Sequence, residues 1–178
     1  MAAAGTRRGR AWSTKTAWAA LALLSGQNPG WISASEKSRL KSRLRGLDAD
    51  AVCILARNKD ETIRFRATQD GLSALSDHLI ASGASAMGDE VTAGTFGMSG
   101  GGQIAEGYVM AGEAAALADA FGLVRDPDGN AIIHEVELAE PFTGGLAPVA
   151  AEAVDLMGSL ATHERSAGQR VINELLHA

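Results

Sequence analysis

An α+β fold is predicted, helical at its start and alternating between strand and helix later. Hydrophobic residues make up 46% of the 178-residue chain, ample for a core, while aromatics make up only 4%, so helices must pack closely through small and aliphatic side chains. Apolar spacing is helical as far as Arg57 and turns to a period of two at Thr62. A run rich in Gly, Ser and Ala over 84–103 then interrupts the chain, and strand and helix patterns alternate beyond it. These shifts predict a basic, disordered arm over 1–10, a helical domain over 11–83, a linker over 84–103, and a small α/β domain over 104–178 that closes on two helices.

Ser13 is the N-cap of a first helix that runs to Leu24, with Ala17, Leu21 and Leu24 on one face and Gly26 at its stop. Gln27-Asn28-Pro29-Gly30 is a turn by composition. Ser33 and Glu36 have the spacing of a capping box, in which each side chain satisfies the other residue's backbone N–H. The helix they open buries Leu40, Leu44 and Leu47. A third helix follows from Asp48 to Arg57, burying Val52 and Leu55. From Thr62 to Thr68 the residues alternate, with Ile63, Phe65 and Ala67 on one side and Arg64 and Arg66 on the other, the pattern of a half-buried strand with a basic outer face. Three short helices and a basic strand are the parts of a winged helix-turn-helix module. Leu72, Leu75 and Leu79 mark a further helix ending at Gly83.

In the second half Ile104–Met110 is predicted as a strand and Glu113–Phe121 as a helix. Leu123–Arg125 and Ala131–Val136 are expected to pair as a hairpin across Asp126-Pro-Asp-Gly-Asn130. Gly144-Gly-Leu-Ala-Pro148 is a loop before two closing helices, Val149–Leu160 and Thr162–Leu176.

Charge divides the chain as sharply as period does. Residues 1–70 carry 13 Lys and Arg against 6 acidic residues, a net of +7, and residues 71–178 carry 3 against 15, a net of −12. Such asymmetry points to a polyanionic contact on the basic side and a surface that repels phosphate on the other. Lys37, Lys41 and Arg45 recur every four residues along the second helix, Arg39 and Arg43 widen that surface, and Arg64 and Arg66 add the strand. These seven are the candidate DNA-contacting residues, most of them touching phosphate, which positions a duplex without reading it. Arg7, Arg8 and Arg10 of the arm have the composition of a minor-groove arm.

Catalytic signals are poor by comparison. Gly97-Met-Ser99-Gly-Gly101 matches the G-x-S-x-G nucleophile elbow, but its flanks are too glycine-rich for the strand and helix that motif needs, although His134 and Asp119 are available as partners on paper. The histidines at 78, 134, 163 and 177 show no metal-ligand spacing among themselves or with Cys53, and no phosphate-cradling loop is present. Glu135 and Glu137 share a strand face without the marks of an acid–base pair. No enzymatic role, metal or cofactor is therefore expected. A lone cysteine fits the reducing cytoplasm, and the longest apolar stretch, Ala17–Leu24, is too short for a membrane span.

Several segments together resemble a known group. Arg10-Ala-Trp-Ser-Thr-Lys-Thr-Ala17, Ser35-Glu-Lys-Ser-Arg-Leu40 and Ile63-Arg-Phe-Arg-Ala67 are similar to the N-terminal region of actinobacterial antitoxins and transcriptional regulators partnered with nucleotidyltransferase toxins, the abortive-infection type IV class. Ser82-Gly-Ala-Ser-Ala86, Glu106-Gly-Tyr-Val109, Asp128-Gly-Asn130, Ala153-Val-Asp-Leu156 and Glu164-Arg-Ser-Ala-Gly168 extend the resemblance over roughly 10–176. It implies a first domain that binds duplex DNA at its own operator, and a second that serves toxin neutralisation or oligomerisation, a homodimer included. Two alternatives stand beside it: an adaptor whose basic face docks an acidic protein, and a small hydrolase using Ser99.

Overall fold

The computed structural model describes residues 10–98 and 103–178. Ser99 of the elbow motif and Arg7 and Arg8 of the arm lie outside the described residues.

The first helix, α1 (Thr14–Leu24), starts at Ser13, whose Oγ accepts from Thr16 N at 3.3 Å. All six residues from Ala17 to Ala22 are buried, so this helix is apolar all round rather than along one face, and it runs through the interior. The capping box forms as its spacing predicts: Ser33 N donates to Glu36 Oε2 at 2.8 Å and Glu36 N to Ser33 Oγ at 3.2 Å, opening α2 (Ala34–Leu44). Asp48 caps α3 (Ala49–Leu55), which stops two residues short of Arg57. The alternating segment becomes β1 (Glu61–Arg66).

Beyond β1 the local pattern and the structure part company. The helix marked by Leu72 and Leu75 is α4 (Gln69–Ser76), and it does not continue through Leu79 to Gly83. Ile80 and Ala81 instead form β2 (Ile80–Ala81), which pairs with β3 (Ala105–Met110) at the edge of the sheet. Nor is 84–103 a plain linker. It contains most of α5 (Gly83–Ala86) and all of α6 (Glu90–Phe96), which place Met87 and Phe96 in the core. After β3 come α7 (Glu113–Phe121), β4 (Val124–Arg125), β5 (Ala131–Val136), α8 (Val149–Met157) and α9 (Thr162–His177).

These strands build one mixed sheet in the order β2-β3-β5-β1-β4, with β3 and β5 parallel and the other pairs antiparallel. The expected hairpin of 123–125 with 131–136 does not form, because β1 occupies the place between them: Phe65 is paired with Arg125 on one side and Ala131 on the other. Asp126–Asn130 carries the chain across the end of β1. Asn130 clamps the Ala67 backbone there, accepting from its N at 2.8 Å and donating to its O at 3.1 Å. Gly129 crosses so near that a Cβ would lie 2.0 Å from Phe65 O, which excludes every other residue without a backbone shift.

The pleat separates two chemistries. Phe65, Ala105, Val109, Ala131 and Ile133 face α4 and α7 and join Leu72, Leu75 and Ala114 in a small apolar core. The opposite face, with Glu106, Tyr108 and His134, looks toward α1, α3, α5 and α8. The larger core lies on that side and draws on the whole chain, from Trp18, Leu21 and Val52 to Phe96, Leu156 and Ile172. Sheet and core thus cross the boundary expected at 84–103. β1 and β2, the two strands within 11–83, are not neighbours, and β1 finds both partners in the second half.

Candidate functional site

Five of the seven predicted cations stand on α2, with Lys37, Lys41 and Arg45 along one side of its buried leucines and Arg39 and Arg43 along the other. Leu40 and Leu44 anchor α2, and its remaining turns face solvent. Lys37 Nζ donates to Asn28 Oδ1 at 2.8 Å, Arg39 Nε to Ser35 O at 3.4 Å, and the Arg43 guanidinium lies 5.6 Å from the Trp12 ring centroid. Lys41 and Arg45 extend into solvent. Among the described residues none of the five is in an ion pair. The strand pair is elsewhere. Arg66 is bound to Asp126, Nε to Oδ2 at 2.5 Å, with Nη2 on Asp128 O at 3.0 Å, and this holds the Asp126 carboxyl below its ordinary range. Arg64 lines a cleft on the helix-facing side of the sheet. The seven predicted cations are thus five on α2 and two on β1, where Arg66 has a carboxylate partner.

That cleft, about 600 Å³, opens between β1, β3 and β5 and the helices α3, α8 and α9. At its floor sits an ionic cluster that no sequence pattern assembles. Lys59 is 4% exposed, and its Nζ meets the carboxylates of Asp60 and of Asp155, the latter at 2.8 Å. His134 is 5% exposed, with Nδ1 at 3.2 Å from Asp60 Oδ2 and Nε2 at 3.1 Å from Glu106 Oε1. Thr62 Oγ1 donates to Asp60 Oδ1 at 2.9 Å, while Ser82 Oγ at 2.5 Å and the Tyr108 hydroxyl both donate to Asp155 Oδ2. Glu106 Oε2 receives the Ala84 N–H at 3.3 Å. Gly83, at φ +51°, makes room for that carboxylate, since a Cβ there would lie 2.0 Å from it.

Each charge in the cluster sets the protonation of its neighbours. Burial opposes the imidazolium of His134, but the Asp155 carboxylate and the hydrogen bonds to Asp60 and Glu106 outweigh it, raising the group from 6.5 to about 9. His134 is thus doubly protonated at neutral pH, both ring nitrogens donating. Asp60 resists burial in the same way, held far below the usual carboxylate range by His134 and Lys59. For Lys59 burial is outweighed by Asp155 and Asp60, which keep the ammonium charged. Burial and the Asp155 charge push the Tyr108 phenol well up, so it stays a hydrogen-bond donor. Two cations stand against three carboxylates.

Asp60, His134 and Asp155 bring one ligand-type atom each within 4.8 Å of one another, a spacing that a metal ion would fit. Lys59 bridges the carboxylates of Asp60 and Asp155 at the same place and supplies a cation to both. The cluster is a closed set of charge-assisted hydrogen bonds.

His134 is the one member that the sequence singles out, as a strand histidine. Asp155 lies alone in the apolar run Ala153-Val-Asp-Leu156, a signal in retrospect, and nothing local couples it to Lys59. Glu135 turns out to cap α7, accepting from Gly112 N at 3.0 Å and Ala114 N at 2.9 Å. Compared with protein-family models, with curated proteins and with solved structures, the chain matches none.

Proposed function

We propose that this protein is a duplex-DNA-binding regulator that lays α2 along a phosphate backbone. One observation supports this most: Lys37, Lys41 and Arg45 follow one another about a turn apart along one side of α2, with no carboxylate paired to any of them among the described residues. Lys37 to Arg45 span about 12 Å at the rise of an α-helix, enough to face several phosphates. The leucine-anchored trio α1–α3 is the helical part of the winged-helix expectation, and the proposed contact surface is α2 rather than the strand.

Full-length protein should bind duplex DNA with log K falling against log salt by about 0.9 per phosphate neutralised. Replacing Lys41 and Arg45 with Ala should weaken all sequences alike and flatten that slope by roughly 1 for each phosphate left without its cation. Fluorescence anisotropy across a salt series measures both. Unchanged binding by the double variant, or no binding by the wild type at low salt, would sink the assignment.

The resemblance supplies the partner, a nucleotidyltransferase toxin, and the −12 balance of residues 71–178 suits a surface that steers a basic protein and repels DNA. Co-expression should rescue growth arrested by such a transferase. The full chain is the reagent, because removing 104–178 would strip β1 of both its neighbours. Arrest that persists under co-expression rejects the partnership and leaves the DNA contact standing.

A further inference from the structure

We infer that the cleft above the ionic cluster binds a small organic anion with an aliphatic body. Its volume of about 600 Å³ lies within the range of small-molecule sites. Two guanidinium groups, Arg57 and Arg64, enter its lining together with Asp128 and Glu164, and among the described residues neither arginine is in an ion pair with them or with any other carboxylate. Guanidinium keeps its charge at any working pH and matches a carboxylate or phosphate through paired N–H donors. The apolar part of the wall is aliphatic throughout. Ile132 and Val154 are buried, while Ile104 and Leu160 are 39% and 85% exposed. Ile104 and Leu160 leave an apolar rim that a ligand's chain can cover. Among the described residues no Phe, Trp or Tyr lines the cleft, so it offers none of their rings for stacking a planar base.

The floor decides which way the ligand sits. Each charged group of the cluster is engaged by another, and three carboxylates outnumber two cations. An anion is repelled from the floor and belongs at the two arginines, with its chain along the isoleucine, valine and leucine side chains. This assignment is independent of the DNA contact on α2.

Octanoate is a suitable probe, with octanol lacking the charge and inorganic phosphate lacking the chain. Isothermal titration of the full-length protein should give one saturable octanoate site, with octanol and phosphate each at least about tenfold weaker, the loss expected when a charge-assisted hydrogen bond is removed. Replacing Arg57 and Arg64 with Gln should weaken octanoate by a similar factor and leave octanol unchanged. Leu160→Asp, at a position exposed enough to leave folding intact, should weaken octanoate as well. Octanol binding as tightly as octanoate would remove the arginines from the site. Phosphate binding as tightly would remove the aliphatic wall, and full octanoate affinity in the arginine double variant would overturn the assignment outright.

Discussion

Replacing Lys59 with methionine is expected to destabilise the fold by about 3–5 kcal/mol, the usual cost of leaving buried charges without their partner. The ammonium is 4% exposed and touches the carboxylates of both Asp60 and Asp155, so its loss strands two anions at once. Methionine fills much of the same volume, which confines the effect to charge. The surrounding packing is also tied to this residue: Trp18 Nε1 donates to Lys59 O at 2.7 Å, and the ammonium lies 4.9 Å from the Tyr108 ring centroid. Urea unfolding should show a lower midpoint with an unchanged slope. Adding Asp60→Asn and Asp155→Asn to the methionine variant should recover part of the loss, because the uncompensated anions are then gone. A loss below about 1 kcal/mol, the range of a surface pair, would mean that water reaches the cluster and that the cleft floor is open.

Stability should fall steadily on the alkaline side, and His134 should be the main cause. Its folded-state value, about 9, lies above the ordinary 6.5, so the folded protein holds a proton that the unfolded chain releases first. The stabilisation is complete below about pH 6.5 and disappears as the pH rises through about 9; its size is on the order of 3 kcal/mol. Glu152 acts in the same direction. Burial and the neighbouring Asp155 and Asp89 raise its carboxyl from 4.5 to about 8, so ionising it across that interval costs the fold. Asp60 supplies the acid limb, since a depressed carboxylate stabilises above its ordinary range and that contribution is lost as the pH falls. The maximum therefore belongs at about pH 4 to 4.5, above the ordinary 3.8 of Asp60 and below the onset of the Glu152 cost at 4.5. Denaturant midpoints at a series of pH values test this, and His134→Gln should flatten the limb between pH 6.5 and 9 and also shrink the acid limb, because Asp60 then loses one of the two cations that hold it down. A wild-type profile level from pH 6.5 to 9 would show that His134 is neutral in the folded protein.

What is legible in the sequence is local. Ser13, Ser33 with Glu36, and Asp48 each announce a helix start because a cap is made within one turn, and all three starts are observed. The alternation of residues 62–66, the helix Glu113–Phe121 and the strand ending at Met110 are readable for the same reason: their periods are set by neighbours a few residues away. Leu40 and Leu44 mark the buried side of α2, and the cations of that helix flank them.

Where a partner comes from afar, the sequence misleads. Residues 123–125 and 131–136 alternate and flank a turn, yet β1 inserts between them, because a strand pattern specifies which face is buried and not which strand lies alongside. Alternation puts Arg64 and Arg66 on one side of β1, where Arg66 is exposed as expected, but only the fold gives Arg64 a cleft to line and Arg66 its partner Asp126.

By itself, then, the sequence determined the α+β class, the helix caps, the chain's charge asymmetry and the basic face of α2, all of which depend on residues near one another along the chain. Only the tertiary structure decided the strand order, the larger core that spans both halves, and the joining of Lys59, Asp60, Glu106, His134 and Asp155 into one ionic cluster. A buried charge is tolerable only beside its counter-charge, and in this protein the counter-charges come from strands and a helix as much as 96 residues apart, a separation no local pattern encodes.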